Sequence, residues 1–234
     1  MEVPNGSNGG AADRDPAHRP RSSPAACAKG RRMTTGYEQI YLDLLPRLAQ
    51  CDLAESAQRL GLALLPSGEV AAQFCGRRFL ISAAGVNPED GRPVDVNYRS
   101  VLSHYILSKG RGEPEHSFLP LGRVTGIIAG QKTFDKGLME KPLLKEFGAD
   151  YAKFRAAAVQ LGGVLEEACD GGHRWTLQAL PKIPVRLVFY EADEEFPADI
   201  QIWLDRTAPR FMEFECLAFL TGCFVKALIT TARN

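Results

Sequence analysis

Residues 175–205 read WTLQALPKIPVRLVFYEADEEFPADIQIWLD, two strand-like alternations flanking a tight acidic cluster that ends in Phe196-Pro197. Apolar side chains recur at every second position in Val185, Leu187 and Phe189, and again in Ile200, Ile202 and Leu204. That is the period of a strand with one buried face. A chain carrying it needs antiparallel partners and an apolar layer beneath them. Strands are predicted at Trp175–Leu180, Val185–Tyr190 and Ile200–Leu204, with Asp170-Gly171-Gly172 as the turn before the first.

The rest of the chain supplies that layer. Tyr37, Ile40, Tyr41, Leu44, Leu45 and Leu48 recur at three and four residues, predicting a helix that Pro46 kinks or divides. A second helix is predicted over Asp52–Leu60, stopped by Gly61, and then a hairpin of Val70–Phe74 and Arg78–Ser82 across Cys75-Gly76-Arg77. Val86–Val94 reads as a loop, Tyr98–Leu107 as a helix capped by Asp95 or Asn97, and Lys109–Pro120 as a long loop. A helix interrupted by Pro142 starts at Thr133 or Asp135 and runs to Phe147, and another covers Asp150–Glu167, weakened at its far end by Gly162-Gly163. From Ala208-Pro209 a long helix is expected, apolar over most of its circumference through Phe211–Ile229 and therefore buried. The fold class that results is α+β: an antiparallel sheet packed against helices, with a long buried C-terminal helix.

Residues 1–33 are rich in Gly, Pro, Ala, Ser and Arg and are expected to form a disordered N-terminal extension, with residues 34–234 as a single α+β domain. Met33 offers a second translation start. Formal net charge is zero, and without the basic first 32 residues the body carries 22 basic and 25 acidic side chains. That balance argues against nucleic acid as a partner and offers nothing to an anionic membrane. Glu213, Glu215 and Lys226 interrupt the C-terminal apolar run, so no membrane span is expected. Cys27, Cys51, Cys75, Cys169, Cys216 and Cys223 are scattered without a CxxC pair, so the expectation is buried, reduced thiols and a cytoplasmic location.

Few residues suggest chemistry. Asp193, Glu194, Glu195, Asp199 and Asp205 suit a hard cation by type. Strand geometry opposes this, because Asp199 and Asp205 would stand about 20 Å apart on an extended strand. No metal site is expected. An aromatic followed by proline at Phe196-Pro197 indicates a shaped tip, able to meet a ligand or only to pack. Of the histidines, His18 lies in the tail, His104 on a helix, His116 in the long loop and His173 in a turn, with no HExxH spacing. No GxSxG elbow or phosphate loop is present either. The ligand or partner contacts expected are Asp193, Glu194, Glu195, Phe196, Pro197, His104 and His116.

At FDKGLMEKPLL, residues 134–144, and at LPKIPVRLVFYEADEEFPADIQIWLD, residues 180–205, the chain resembles an uncharacterised prokaryotic family carrying domain of unknown function 3786. The resemblance covers Met33–Asn234 and implies an accessory role in anaerobes, near iron–sulfur or corrinoid proteins. A corrinoid or tetrapyrrole is the cofactor it implies, and a redox or corrinoid protein the partner. Without the cysteine-rich segment of some members, this chain should hold no iron–sulfur cluster of its own. Two alternatives stay open: an enzyme using Asp and Glu acid–base chemistry, and a scaffold whose apolar C-terminal helix pairs with a partner.

Overall fold

The computed structural model describes residues 36–124, 137–166 and 171–234. The expectations for residues 1–33, His18, Cys27, Cys169, the helix start at Thr133 or Asp135 and the turn start at Asp170 lie outside the described residues.

Helix α1 (Gly36–Ala49) buries Tyr41, Leu44 and Leu48, and Pro46 sits in its last turn without dividing it. Helix α2 (Leu53–Leu60) begins where the Asp52 carboxylate accepts the Glu55 amide at 2.9 Å and ends at Gly61, φ 70°. Then come β1 (Ala63–Leu64), β2 (Val70–Phe74), β3 (Arg77–Ser82) and β4 (Gly85–Pro88), an antiparallel sheet in that order. Strand β4 replaces part of the expected 86–94 loop. The Val86 amide donates to the Tyr41 hydroxyl of α1 at 2.9 Å, which satisfies one donor on the strand's outer edge.

Asp95 caps α3 (Val96–Leu107), taking the Asn97 amide at 3.1 Å. The long connection after it ends in β5 (Phe118–Pro120) and the short α4 (Leu121–Val124) rather than staying a loop throughout. Helices α5 (Glu140–Phe147) and α6 (Tyr151–Gln160) follow. The expected helix to Glu167 ends early because Gly162 turns left-handed at φ 79° and a Cβ on Gly163 would stand 2.7 Å from the Ala158 carbonyl oxygen. Beyond this reversal β6 (Val164–Glu166) forms a strand instead.

Strands β7 (His173–Leu180), β8 (Ile183–Tyr190) and β9 (Asp199–Asp205) occur where the alternation places them, although His173 opens a strand instead of closing a turn. They form a second antiparallel sheet, ordered β5-β9-β8-β7-β6. The α+β class holds, with two sheets where one was expected. Pro209 lies in a 3₁₀ turn (Ala208–Arg210), and α7 (Phe214–Thr231) starts only after Glu213.

Trp175, Leu187 and Ile202 align across β7, β8 and β9 and share an apolar cluster with Phe74, Ile81, Leu102, Phe154 and Leu220. Helix α7 is long and apolar enough to cross a membrane by length and composition, yet half of it is buried inside this fold. Its other half leaves an open face.

Candidate functional site: a cleft between two helices

The acidic tip resolves into a self-contained turn. Asp193 Oδ1 accepts the amides of Phe196 at 2.7 Å and Glu195 at 2.8 Å, and the Asp193 amide donates to the Phe196 carbonyl at 3.0 Å. Those two amides, Phe196 first, hold the Asp193 carboxyl below its ordinary range. Glu194, Glu195 and Pro197 are exposed, and Phe196 is 66% exposed with its ring in solvent. The turn is therefore closed on itself and outward, and it does not line the cleft described next.

His116 is exposed, at a strained φ of 53°, with its ring 6.3 Å from that of Phe118. Its backbone belongs to the anchorage of the long loop: the amides of Glu115, at 3.3 Å, and His116 both turn toward buried Asp205. Asp205 and Asp199 lie at opposite ends of β9, as the strand spacing requires.

His104 stands apart from both, half-buried on α3. Burial lowers its pKa, Arg47 acts in the same direction and Glu213 opposes. It faces a small recess with Ser100, Val101, Cys216, Tyr37, Ile40, Asn97 and Phe219. This recess adjoins a cleft of about 530 Å³ between α3 and α7, floored and walled by Tyr98, Phe214, Ala218, Phe219, Gly222 and Cys223, with Leu138 and Met139 opposite. That volume lies in the range of small-molecule sites. Tyr37, Asn97 and Phe219 line both spaces. Neither the 193–197 tip nor the 110–120 loop contributes to either.

The polar groups of the cleft sit at its rim. Lys226 reaches Asp95 at 3.1 Å. Burial alone would raise the Asp95 carboxyl, but the Asn97 amide and Lys226 outweigh it and the net shift is downward. Glu215 is a further carboxylate on the rim. Inside, the Tyr98 hydroxyl donates to the Cys223 carbonyl at 3.1 Å, and burial raises its pKa, so it stays a phenol. Burial and Asp95 push the Cys223 thiol up to about 12, and burial with Glu213 and Glu215 pushes Cys216 up to about 11. Neither is an activated nucleophile. Among the described residues no three His, Cys, Asp or Glu side chains gather as a metal site would need.

Sequence reading had marked His104 but missed its neighbours. Phe214, Ala218, Gly222 and Lys226 follow one another at four-residue steps, so they form a single ridge of α7. Two small residues between an aromatic and a lysine, on a helix otherwise filled with bulky apolar side chains, were the legible sign of a face left open. Asn97 and Ser100 gave no sign, because nothing local distinguishes them from ordinary helix polar residues.

Residues 52–227 match a family described as Domain of unknown function (DUF3786). The chain belongs to that family. The matched span runs from the cap of α2 into the last turns of α7, so both main walls of the cleft lie within the DUF3786 domain and Tyr37 of α1 outside it. No curated protein and no solved structure matches the chain.

Proposed function

We propose that this chain is an accessory or binding protein of anaerobic redox or corrinoid/tetrapyrrole metabolism in prokaryotes, without an iron–sulfur cluster of its own. The α3–α7 cleft is its ligand site. One observation carries the reading: a space of ligand size is walled by aromatic and small side chains, while the Cys223 thiol and Tyr98 phenol facing it are held neutral. Such a surface suits binding by packing.

A corrinoid or tetrapyrrole would meet this cleft by one edge. Phe214, Phe219 and Tyr98 would pack against the macrocycle, and Lys226 and Asn97 would meet its polar side groups. When bound, the group would supply its own redox or alkyl-transfer chemistry. His104 lines the recess of about 10 Å³ and not the larger cleft, so it is not among the residues that would hold the macrocycle. The Asp193–Pro197 turn, closed by its own hydrogen bonds and tipped by exposed Phe196, is the contact assigned to a redox or corrinoid protein partner. Four free cysteines, Cys51, Cys75, Cys216 and Cys223, accord with a reducing cytoplasm.

Anaerobically purified protein titrated with cyanocobalamin and with haemin, followed by calorimetry and absorbance, tests this. Saturable heat with at least one is expected, and Phe219→Ala should weaken it about tenfold, the loss of one large aromatic contact. No heat and no spectral change with either removes the cofactor form of the proposal.

A second reading, an enzyme using Asp and Glu acid–base chemistry, is favoured by Glu140. It is the one carboxyl among the described residues whose shift is upward: burial raises it, the amides of Glu140, Met139 and Gly137 oppose, and Asp199 adds to the rise. Any turnover found in a substrate screen should fall at least about a hundredfold in Glu140→Gln. Unchanged turnover would exclude Glu140 as its base.

A further inference from the structure

Among the described residues the cations that stand over aromatic rings are Arg77 on Phe79, Arg99 on Tyr41, Lys153 on Phe147 and Arg186 on Phe118. Tyr37 and Phe219 carry none, although the cleft leaves both within reach. Tyr37, in the first turn of α1, is 51% exposed, and Phe219 of α7 is half-buried. Their ring centroids stand 5.5 Å apart with the planes at 87°. Two rings at right angles make a walled corner on the cleft, and an open ring face attracts positive charge.

The charges around this corner do not balance. Two carboxylates, Asp95 and Glu215, and one ammonium, Lys226, line the cleft. Lys226 meets Asp95 at 3.1 Å, which neutralises that end of the rim. Glu215 makes no ion pair among the described residues, and it precedes Phe219 by four residues on α7, a separation of about 5–6 Å between Cβ atoms. The cations are farther off: Lys226 lies seven residues beyond Phe219, about 10 Å along α7, and Arg47 ten residues beyond Tyr37, about 15 Å along α1. Exposed charges at those separations are largely screened. Of the charges acting on the lining groups, Asp95 outweighs Lys226 at Cys223 and Arg77 at Tyr98, and Glu213 and Glu215 act on Cys216. Only His104, in the recess, feels a cation more, with Arg47 ahead of Glu213.

We propose that the Tyr37–Phe219 corner, beside Glu215, binds the head of a small organic cation, a quaternary ammonium, with the rest of the ligand in the α3–α7 cleft. The inference rests on the cleft being a ligand site and needs no macrocycle. Methyl groups on the nitrogen spread its charge and weaken its hydration, so such a head leaves water at small cost and gains the rings. A primary ammonium carries three donors, and rings do not offer acceptors for them. A carboxylate would meet Glu215 and find the nearest cation already paired with Asp95.

Choline and 3,3-dimethyl-1-butanol share a shape and differ in charge, while ethanolamine keeps the charge and lacks the methyl groups. Each is titrated into isotope-labelled full-length protein, with the amide resonances of the cleft followed by NMR. Choline is expected to move Tyr37, Glu215 and Phe219 and to bind about tenfold tighter than either comparator. Tyr37→Leu and Phe219→Leu, which keep an apolar side chain in place of the ring, should each lower the preference for choline over the alcohol about three- to fivefold. Tyr37 is half in solvent, so its replacement leaves the core intact. Glu215→Gln should lower the same preference about twofold, and only at low ionic strength.

The alcohol or ethanolamine binding as tightly as choline overturns the inference, as does a preference for choline that survives both ring replacements. Movement at Asp95 and Lys226 with none at Tyr37 and Phe219 overturns it too. The cyanocobalamin and haemin titrations are read separately. A macrocycle bound without any preference for choline removes the cation and keeps the cofactor reading, and the converse result removes the macrocycle and keeps the cation. Silence toward every probe, the alcohol and both macrocycles included, removes the cleft as a ligand site and both proposals with it.

Discussion

Asp205 is fully buried, and its Oδ1 gathers the Thr207 hydroxyl at 2.6 Å, the Thr207 amide at 2.9 Å and the Glu115 amide at 3.3 Å. It ties the end of β9 to the long loop. Asp205→Ala should cost about 3 kcal/mol in urea unfolding, since it strands several buried donors at once. Faster hydrogen exchange across residues 109–117 should accompany it. A loss under about 1 kcal/mol would show that the loop is held elsewhere. By the same accounting Glu194→Ala and Glu195→Ala should be neutral within about 0.5 kcal/mol, because both side chains are exposed.

Glu146 carries the pH dependence at this scale. It meets Lys153 Nζ at 2.5 Å and also pairs with Arg233 next to the C-terminus. Arg233 first and Lys153 second lower its carboxyl from 4.5 to about 2. A lowered folded-state pKa means stability that is present above the unfolded value of 4.5 and lost as pH falls through about 2. Thermal unfolding of Glu146→Gln should therefore show a lower melting point at neutral pH and a flatter decline than wild type between pH 4.5 and 2. Parallel curves would mean that the pairs are as strong in the unfolded chain.

At the scale of elements, the β2–β3 turn is the sharpest local constraint. Cys75 at φ 51° and Gly76 at φ 73° form a two-residue turn with both centres left-handed. A Cβ on Gly76 would also stand 2.7 Å from the Leu161 side chain. Gly76→Ala should cost about 1–2 kcal/mol in chemical denaturation. Cys75→Asn should cost less, since asparagine tolerates this conformation. An unchanged midpoint for Gly76→Ala would require the turn to change type.

That turn was legible in sequence because glycine between alternating runs has few other uses. The helices α1 and α2 and strands β7 to β9 were legible for the same kind of reason: their periodicity is local. Short edge strands were not. β1, β4, β5 and β6 have two to four residues each, too few to display a period, and pairing with neighbours defines them. The site divides in the same way. His104 was visible as a residue type, but the cleft exists only because α3 and α7, more than a hundred residues apart, lie side by side.

At the scale of the molecule, the two sheets share one apolar cluster. No separate core is available to keep either standing if the other opens. Phe79 and Ile81 of the first sheet, and Leu187 and Ile202 of the second, meet in the cluster to which fully buried Leu220 of α7 also belongs. Removing three carbons from Leu220 leaves a cavity whose cost, about 3 kcal/mol, falls on whatever unfolds together with α7. If the cluster is one cooperative unit, native-state hydrogen exchange in Leu220→Ala should lower the opening free energy of the Phe79 and Leu187 amides by the same amount. A drop confined to β8, with β3 unmoved, would mean that the four-stranded sheet opens as a unit of its own. The cleft would then be bounded by one stable wall, α7, and by an α3 free to follow the first sheet.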